Sequence, residues 1–449
     1  MGARRILGYG IGDFGFNLFY TGLNLYLLYY YTDILGIRPE LAGLIFMLPV
    51  VWDGISDPLM GWVASRTRSR FGRYRPYLLF GAPFMSLSFV AMFAAPLWFP
   101  SHMVAACLVS HIIFRTTYTV VSIPYTSLSA AMTTSSQARS SLAGMRMVSA
   151  VTGGLFTAFV TLLLAGQFGN GDLATGFVSV AALYGVISAV IMLIVFAATD
   201  EGAQRPFQSK ITSRQTVHFL SKNTAFWILF GAVFAGSLGN SIASKAMVYY
   251  VAYFVGDPTA VSTILTATLG AAAISVPFWA WLARRIDKRT VWIIAGSGGA
   301  LLAAIQFVIA PRTVDTLLAF QLAGGLFAGG FAVIFWAMLP DTVEFGEWRS
   351  RVRDEGIAFG LNQLALKASS GLGVGLLGIL LGVIGYQAGQ DQSETALEGL
   401  RWLTFGVPLV STLAAVAIIS LYPVSARLHA RLVRAIERRN AFSLQVDDI

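Results

Sequence analysis

Apolar runs of about 20 residues recur along this chain from one end to the other. At ~1.5 Å per helical residue, each is long enough to cross ~30 Å of hydrocarbon. A transmembrane barrel needs strands of ~10 residues with alternating polarity, a pattern this sequence lacks. The spacing predicts an all-α membrane protein with helices over 8–32, 41–65, 76–98, 103–130, 141–166, 176–198, 225–254, 258–283, 290–310, 314–338, 357–386 and 398–422. Charged residues make up only 12% of the chain, about half the share of a soluble domain. The first apolar run is too long for a cleavable signal and no small-residue cleavage site ends it, so it is expected to stay. The single Cys107 excludes an intrachain disulfide framework and a cysteine-based metal cluster.

The net charge of +9 invites a nucleic-acid reading, but its distribution explains it better. Arg66, Arg68, Arg70, Arg73 and Arg75 follow the second run, and Arg284, Arg285, Lys288 and Arg289 follow the eighth. Arg205, Lys210, Arg214 and Lys222 lie between the sixth and seventh, and Arg349, Arg351 and Arg353 follow the tenth. The intervening loops hold little more than Arg38 and Arg312. Basic loops stay in the cytoplasm, so both termini and the central loop are expected there, in an inner membrane. The polar stretch "TDEGAQRPFQSKITSRQ" (199–215) divides the runs into six and six. A weak repeat supports that division: "ASRTRSRFGRYRP" follows the second run and "ARRIDKRT" the eighth. The expected organisation is a six-helix half over 1–198, a cytoplasmic loop over 199–224, a second half over 225–422 and a basic cytoplasmic tail over 423–449. Two such halves suggest the major facilitator architecture. The tail reads as a short helix along the anionic inner leaflet.

The stretch "VVWDGISDPLMGWVASRTRSRFGRYRP" (50–76) carries the strongest chemical signal. Asp53 and Asp57 stand four residues apart, on one helix face, inside a run otherwise fit for lipid. Charge at membrane depth costs several kcal/mol and needs a partner or a purpose. Two carboxylates this close repel unless positive charge sits between them. A bound cation is one solution, and an arginine or lysine from another helix is the other. Oxygen-rich surroundings point to the cation: Ser56 is adjacent, and Pro58 removes the donor for the Gly54 carbonyl. The plainer alternative is a charge network that only holds helices together. Asp13, Arg115, Arg146, Lys245 and Lys367 also fall within the runs. Even Arg66 lies ~13 Å along the helix axis from Asp57, so the cytoplasmic arginines are expected to set topology. The counter-charge is expected from the cation, with Lys367 as second partner.

Asn17, Asp53, Asp57, Thr119, Ser122 and Lys367 all fall near one depth, slightly cytoplasmic of the middle, where transporter sites lie. At this point the chain resembles the glycoside–pentoside–hexuronide:cation symporters. The matching stretches are "YGIGDFGFN", "LLYYYTDILGI", "WDGISDPLMGW…TRSRFGRYRP", "TYTVVSIPYTSL", "WAMLPDTVEFGEW" and "EGIAFGLNQLALK". They follow the family's order over nearly the whole chain. The resemblance implies that Asp53 and Asp57 bind the coupling cation, Na⁺ or H⁺, with Ser56 and Thr119 as oxygen ligands. It also matches Lys367 to the family's lysine in the eleventh helix, Arg146 to its arginine in the fifth, and Trp336 to a tryptophan of glucuronide carriers. This sequence departs from melibiose carriers at Asn17 and Ser122, which are acidic there, and at Val50, where an arginine stands. The pocket is therefore expected to favour an anionic or less hydroxyl-demanding glycoside.

Tyr118, Tyr125, Asn362 and Gln363 are candidate hydroxyl partners of a sugar. Tyr29, Tyr30 and Tyr31 fit interface anchoring better than stacking. Asp341, Glu344 and Glu347 cluster near the end of the tenth run, and are expected to latch an inner gate with Arg73 or Arg139. The "GLGVG" run lies inside an apolar helix, so it is no phosphate loop, and no enzyme motif stands out. The expected function is a secondary symporter of a glycoside or hexuronide, monomeric, without an organic cofactor or nucleic-acid partner. The alternative is a cation-dependent carrier of a lysolipid or other amphiphile on the same fold.

Overall fold

The computed structural model describes the backbone of residues 2–133, 136–201 and 212–447. Its elements are α1 (Ala3–Gly10), α2 (Gly12–Tyr29), α3 (Pro39–Arg66), α4 (Arg75–Trp98), α5 (Met103–Met132), α6 (Ser136–Gly169), α7 (Leu173–Ala198), α8 (Ser213–Lys222), α9 (Thr224–Tyr249), α10 (Val261–Leu282), α11 (Lys288–Ile309), α12 (Val314–Ser350), α13 (Glu355–Val383), α14 (Glu394–Arg401), α15 (Val407–Ser420) and α16 (Ala426–Asp447). Among the described residues, eleven helical segments are long and apolar enough to cross a membrane, with α14 and α15 counted as one. The first run of the sequence, α1 and α2, falls outside that count, because Asp13, Asn17, Asn24 and its tyrosines dilute the apolar character of α2. The all-α membrane architecture expected from the sequence is the one observed.

Helix starts follow local chemistry. Proline fits the first turn of a helix, where its missing N–H has no role, and Pro39 opens α3 in this way. Asp172 accepts from the N–H groups of Ala174 and Thr175 at the start of α7. The Thr175 hydroxyl, then those N–H groups, hold its carboxyl below the usual carboxylate range. Thr212 and Gln215 form a reciprocal capping box on α8. Two helices end alike: α2 runs into a wide π-turn at Tyr30–Ile34 and α9 into one at Tyr250–Val255. Gly36 (φ 68°) and Gly256 (φ 80°) then turn the chain through the left-handed region. Each π-turn begins on the second tyrosine of a Tyr–Tyr pair, Tyr29–Tyr30 and Tyr249–Tyr250, at the same distance before its glycine, a second internal repeat beside the basic turns.

The described contacts divide the chain into two compact units. The first holds Met1–Pro206, Ser244–Thr266 and Val374–Leu400, and the second Phe207–Ala243, Ala267–Gly373 and Arg401–Ile449. The first break falls in the polar stretch 199–215. The segments 244–266 and 374–400 belong with the first unit, which a single cut of the sequence does not contain. Close helix approach explains part of this. A Cβ on Gly43 of α3 would stand 2.9 Å from the Gly375 carbonyl oxygen and 3.0 Å from the Gly378 Cα of α13. Small residues allow such contact between membrane helices.

Within the first unit α4 packs on α5 and α7, α2 on α6, and α3 on α5. Within the second, Leu229, Trp279, Trp292, Ile334, Phe335 and Ile419 form a buried core. Leu432 of α16 joins that core, so the tail helix has one face buried in protein. The tenth run also extends further than its apolar part suggests. α12 continues to Ser350 with Pro340 inside it, because Asp341 and Glu347 find cationic partners that let acidic residues remain helical.

Candidate functional site

The acidic pair lies where α3 faces α5. Asp53 and Ser56 are buried, at 2% and 7% exposure, and Asp57 is half-buried. The outer face of the same helix carries Ile55, Leu59 and Trp62, all exposed as lipid-facing residues would be. Helix periodicity thus gives one turn two opposite faces. The facing side of α5 repeats the four-residue spacing with His111, Arg115 and Thr119. Contacts run rung by rung between the helices. His111 packs edge-on against Phe46 with ring centroids 5.5 Å apart. Arg115 Nη2 stands 3.4 Å from Asp53 Oδ2. The Thr119 hydroxyl donates to Asp57 Oδ1 at 2.7 Å. Trp52 Nε1 donates to the Thr116 hydroxyl at 2.9 Å, which ties the two helices on the adjoining face.

The arginine beside Asp53 was not assigned by sequence reasoning, which expected a cation and Lys367 to supply the positive charge. Arg115 is 8% exposed and comes from another helix of the same unit, the second solution the sequence left open. A matching signal was present, since Arg115 and Thr119 share the i, i+4 spacing of Asp53 and Asp57. A buried guanidinium and carboxylate each pay heavily for leaving water, so each needs the other.

A second polar cluster joins α2, α5 and α6. Arg146 grips Asp13 with two bonds, Nε to Oδ2 at 2.6 Å and Nη2 to Oδ1 at 3.2 Å. The Tyr125 hydroxyl donates to Asp13 Oδ2 at 2.7 Å, and Tyr9 stacks on Tyr125 at 4.7 Å. Arg146 and Tyr125, both expected to meet substrate, are therefore engaged with Asp13. Asn17 donates to the Asp13 carbonyl at 2.8 Å, and the Tyr118 ring meets Phe16 edge-on. Ser122 lies one turn beyond Tyr118 and is half-buried.

The remaining substrate candidates belong to the second unit. Trp336 on α12 is 41% exposed, Gln363 on α13 is exposed, and Lys367 one turn later is half-buried. Asn362 is fully buried and donates to the Ala358 carbonyl at 3.1 Å. The sequence candidates thus form two sets, one in each unit.

The acids expected at a gate have partners in their own unit. Both oxygens of Asp341 accept from Lys288 Nζ at 2.8 Å. Glu344 meets His429 of α16. Glu347 accepts from Arg353 at 2.8 Å and from Arg439 at 3.3 Å. Burial works against the charge of Arg353, but hydrogen bonds to Glu347 and Glu355 outweigh it and raise its pKa. In the first unit Arg73 presents its backbone N–H to Glu201 at 2.8 Å, and Arg75 lies near Asp200 at 3.8 Å. The side chain of Arg139 lies outside the described residues.

Comparison with known proteins accords with this architecture. Residues 8–426 match the MFS/sugar transport protein family. The chain is 30% identical to the isoprimeverose transporter of Lactiplantibacillus pentosus, over 96% of this chain and 91% of that one. It is 28% identical to the glucuronide carrier protein homolog of Escherichia coli strain K12, over 99% and 97%. Its fold is similar to that of a bacterial homolog of the human lysosomal transporter Spinster, solved inward-facing and unoccupied, with TM-score 0.71 at 11% identity, covering 96% of this chain and 99% of that one. The chain is a multi-pass membrane transporter and not an enzyme, and it belongs to the glycoside–pentoside–hexuronide symporter family of the major facilitator superfamily.

Proposed function

We propose that this transporter couples the uptake of a glycoside or hexuronide to a cation, Na⁺ or H⁺, by alternating access. The observation that carries the reading is the Asp57 carboxylate, half-buried on α3 and held by the Thr119 hydroxyl at 2.7 Å. It combines formal charge, neutral oxygen neighbours and membrane depth, which suit a monovalent hard cation. Asp53, Asp57, Ser56 and Thr119 form the cation site in this reading. Asn17, Tyr118, Ser122, Tyr125, Arg146, Trp336, Gln363 and Lys367 serve the sugar. The relatives' isoprimeverose and glucuronide support a glycoside of one or two rings. The basic loops support cytoplasmic termini in an inner membrane. Arg73, Arg139, Asp341, Glu344 and Glu347 act at the cytoplasmic gate, and the carrier works as a monomer.

One charge moving down 100 mV yields ~2.3 kcal/mol, enough for roughly fiftyfold accumulation. The test is Asp57→Asn in membrane vesicles, against a panel of glycosides and glucuronides with Na⁺, Li⁺ or a pH gradient. Uphill uptake should be lost, while downhill exchange persists. Full accumulation by the inserted variant refutes the cation-site reading.

A further inference from the structure

The two π-turns do more than repeat one another, because their equivalent residues touch. Asp33 of the first and Tyr253 of the second stand at the same distance before Gly36 and Gly256. They lie 220 residues apart, and the Tyr253 hydroxyl donates to the Asp33 carboxylate. Tyr29 and Tyr249 are equivalent at the same offset, and their rings meet edge-on at 6.2 Å. Two copies of a repeat meet through their own equivalent residues where the axis relating them passes. In a carrier built from two repeats about an axis along the membrane normal, contact on that axis at one face closes that face. Resting on the alternating-access reading above, we propose that Asp33 is a positioning residue of the transport cycle. With Tyr253 and Tyr386 it forms the latch that closes the carrier on its outer face, and the latch comes apart each time the substrate site opens outward.

The surroundings suit that role. The chain between Tyr253 and α10 (254–260) and between Tyr386 and α14 (387–393) holds no lysine or arginine, and the turn after Asp33 holds only Arg38. Sparsely basic loops lie outside. Asp33 Oδ1 accepts from the Tyr386 hydroxyl at 2.5 Å as well as from Tyr253, and Oδ2 accepts from Thr32 at 2.6 Å. The Gly389 N–H donates to the Tyr253 oxygen at 3.0 Å, which draws in the loop after α13. The latch thus joins the outer end of the first run to those of the seventh and the eleventh.

Its chemistry suits a contact that must break. Water can replace a hydroxyl on a carboxylate once the face is wetted, so each bond gives only a modest net bias to the closed state. A lysine or arginine in the same place would have to part from a buried opposite charge, at a much larger cost. Both Asp33 and Tyr253 also stand on π-turns, which depart from the regular α-helical ladder and recur at functional sites.

The experiment uses the full chain in lipid vesicles, with nitroxide labels on Arg38→Cys and Pro258→Cys in a Cys107→Ala background. Both labelled positions are exposed. Spin–spin distances are read without substrate or coupling cation. Asp33→Ala should raise the ratio of long to short distances about tenfold or more, since it removes hydrogen bonds to a charged acceptor. Tyr253→Phe/Tyr386→Phe keeps both rings and should shift the ratio in the same direction, by about fivefold or more. It decides the question if Asp33→Ala does not insert. An unchanged ratio overturns the proposal. Uptake of a transported panel glycoside adds a readout that lost packing would not move. A weaker outer closure leaves more carriers ready to bind from outside, so the half-saturating external concentration should fall about threefold or more, together with the maximal rate. A fall in maximal rate alone means a merely structural role and overturns the proposal. The two levels separate cleanly. If uptake by the unmodified chain responds to no cation, the coupling reading falls and the distances still decide the latch. If Asp57→Asn abolishes cation dependence while the Asp33 and tyrosine variants leave the distances unchanged, the coupling reading stands and the latch falls.

Discussion

Asp53 and Asp33 lie in the same unit and are held by opposite chemistry. Asp53 faces a guanidinium from α5 at 3.4 Å. Asp33, in the π-turn that ends α2, faces hydroxyls. It accepts from Thr32 at 2.6 Å and from Tyr253 and Tyr386. Thr32 also shares a hydrogen bond with Tyr249 at 2.9 Å. Among the described residues no lysine or arginine forms an ion pair with Asp33. Breaking a buried ion pair strands a charge, so the pair holds or fails as a whole. A cage of hydroxyls fails bond by bond, each contributing ~1.5–3 kcal/mol to a charged acceptor. The first arrangement joins two neighbouring helices of one unit, α3 and α5, by opposite charges. The second ties together three chain segments that lie far apart in sequence.

The largest test of this contrast is Arg115→Leu. It takes the guanidinium at 3.4 Å away from the buried Asp53 carboxylate, and should cost about 3–5 kcal/mol of stability in cation-free detergent. Asp53→Leu/Arg115→Leu should regain most of that loss, because both desolvation costs disappear together. Thermal or denaturant unfolding of the two variants reads the difference. A single variant as stable as the unmodified protein would show that Asp53 is balanced elsewhere, and the contrast would collapse.

Asp33→Asn should do less. The amide oxygen still accepts hydrogen bonds, but the charge that strengthened them is gone, so the expected loss is about 1–3 kcal/mol. The same unfolding measurement checks it. A loss as large as that of Arg115→Leu would mean that the hydroxyl cage also behaves as one unit.

These two sites also show what a sequence discloses. Asp53 and Asp57 were legible because their relation is local: four residues, one helix face, an apolar background. Thr119 was legible by depth and by resemblance. Arg115 was visible as a buried charge, yet its partner was not, because spacing within one helix does not state which helix it faces. The Asp33 cage was not legible at all, since Tyr253 and Tyr386 lie 220 and 353 residues away. Asp341, Glu344 and Glu347 read as an acidic cluster beyond the tenth run, which the sequence bounded at 338, and were expected to latch an inner gate. They stay within α12 because Lys288, His429, Arg353 and Arg439, partly from the tail helix, meet them. Most membrane helices were legible, because lipid demands long apolar runs and the chain supplies them, whereas the polar-diluted α2 and the acidic extension of α12 depart from that pattern.

The smallest effect separates the two tyrosines of the cage. Tyr253 and Tyr386 both donate to Asp33, but the Tyr253 oxygen also accepts the Gly389 N–H at 3.0 Å. Their rings meet edge-on at 5.4 Å, and Tyr386 meets Tyr249 similarly at 5.2 Å. Phenylalanine keeps those ring contacts and removes only the hydroxyl. Tyr386→Phe therefore strips one hydrogen bond and Tyr253→Phe strips two, so Tyr253→Phe should cost more, by roughly 0.5–1.5 kcal/mol. In the Asp33→Asn background each substitution should cost less, because the charge that both hydroxyls served has been removed, while the gap between them should persist as the Gly389 bond. A double-mutant cycle over Asp33 and each tyrosine measures this coupling. Coupling near zero for both would mean that the hydroxyls do not bear on Asp33, and the cage would then be a packing contact of rings.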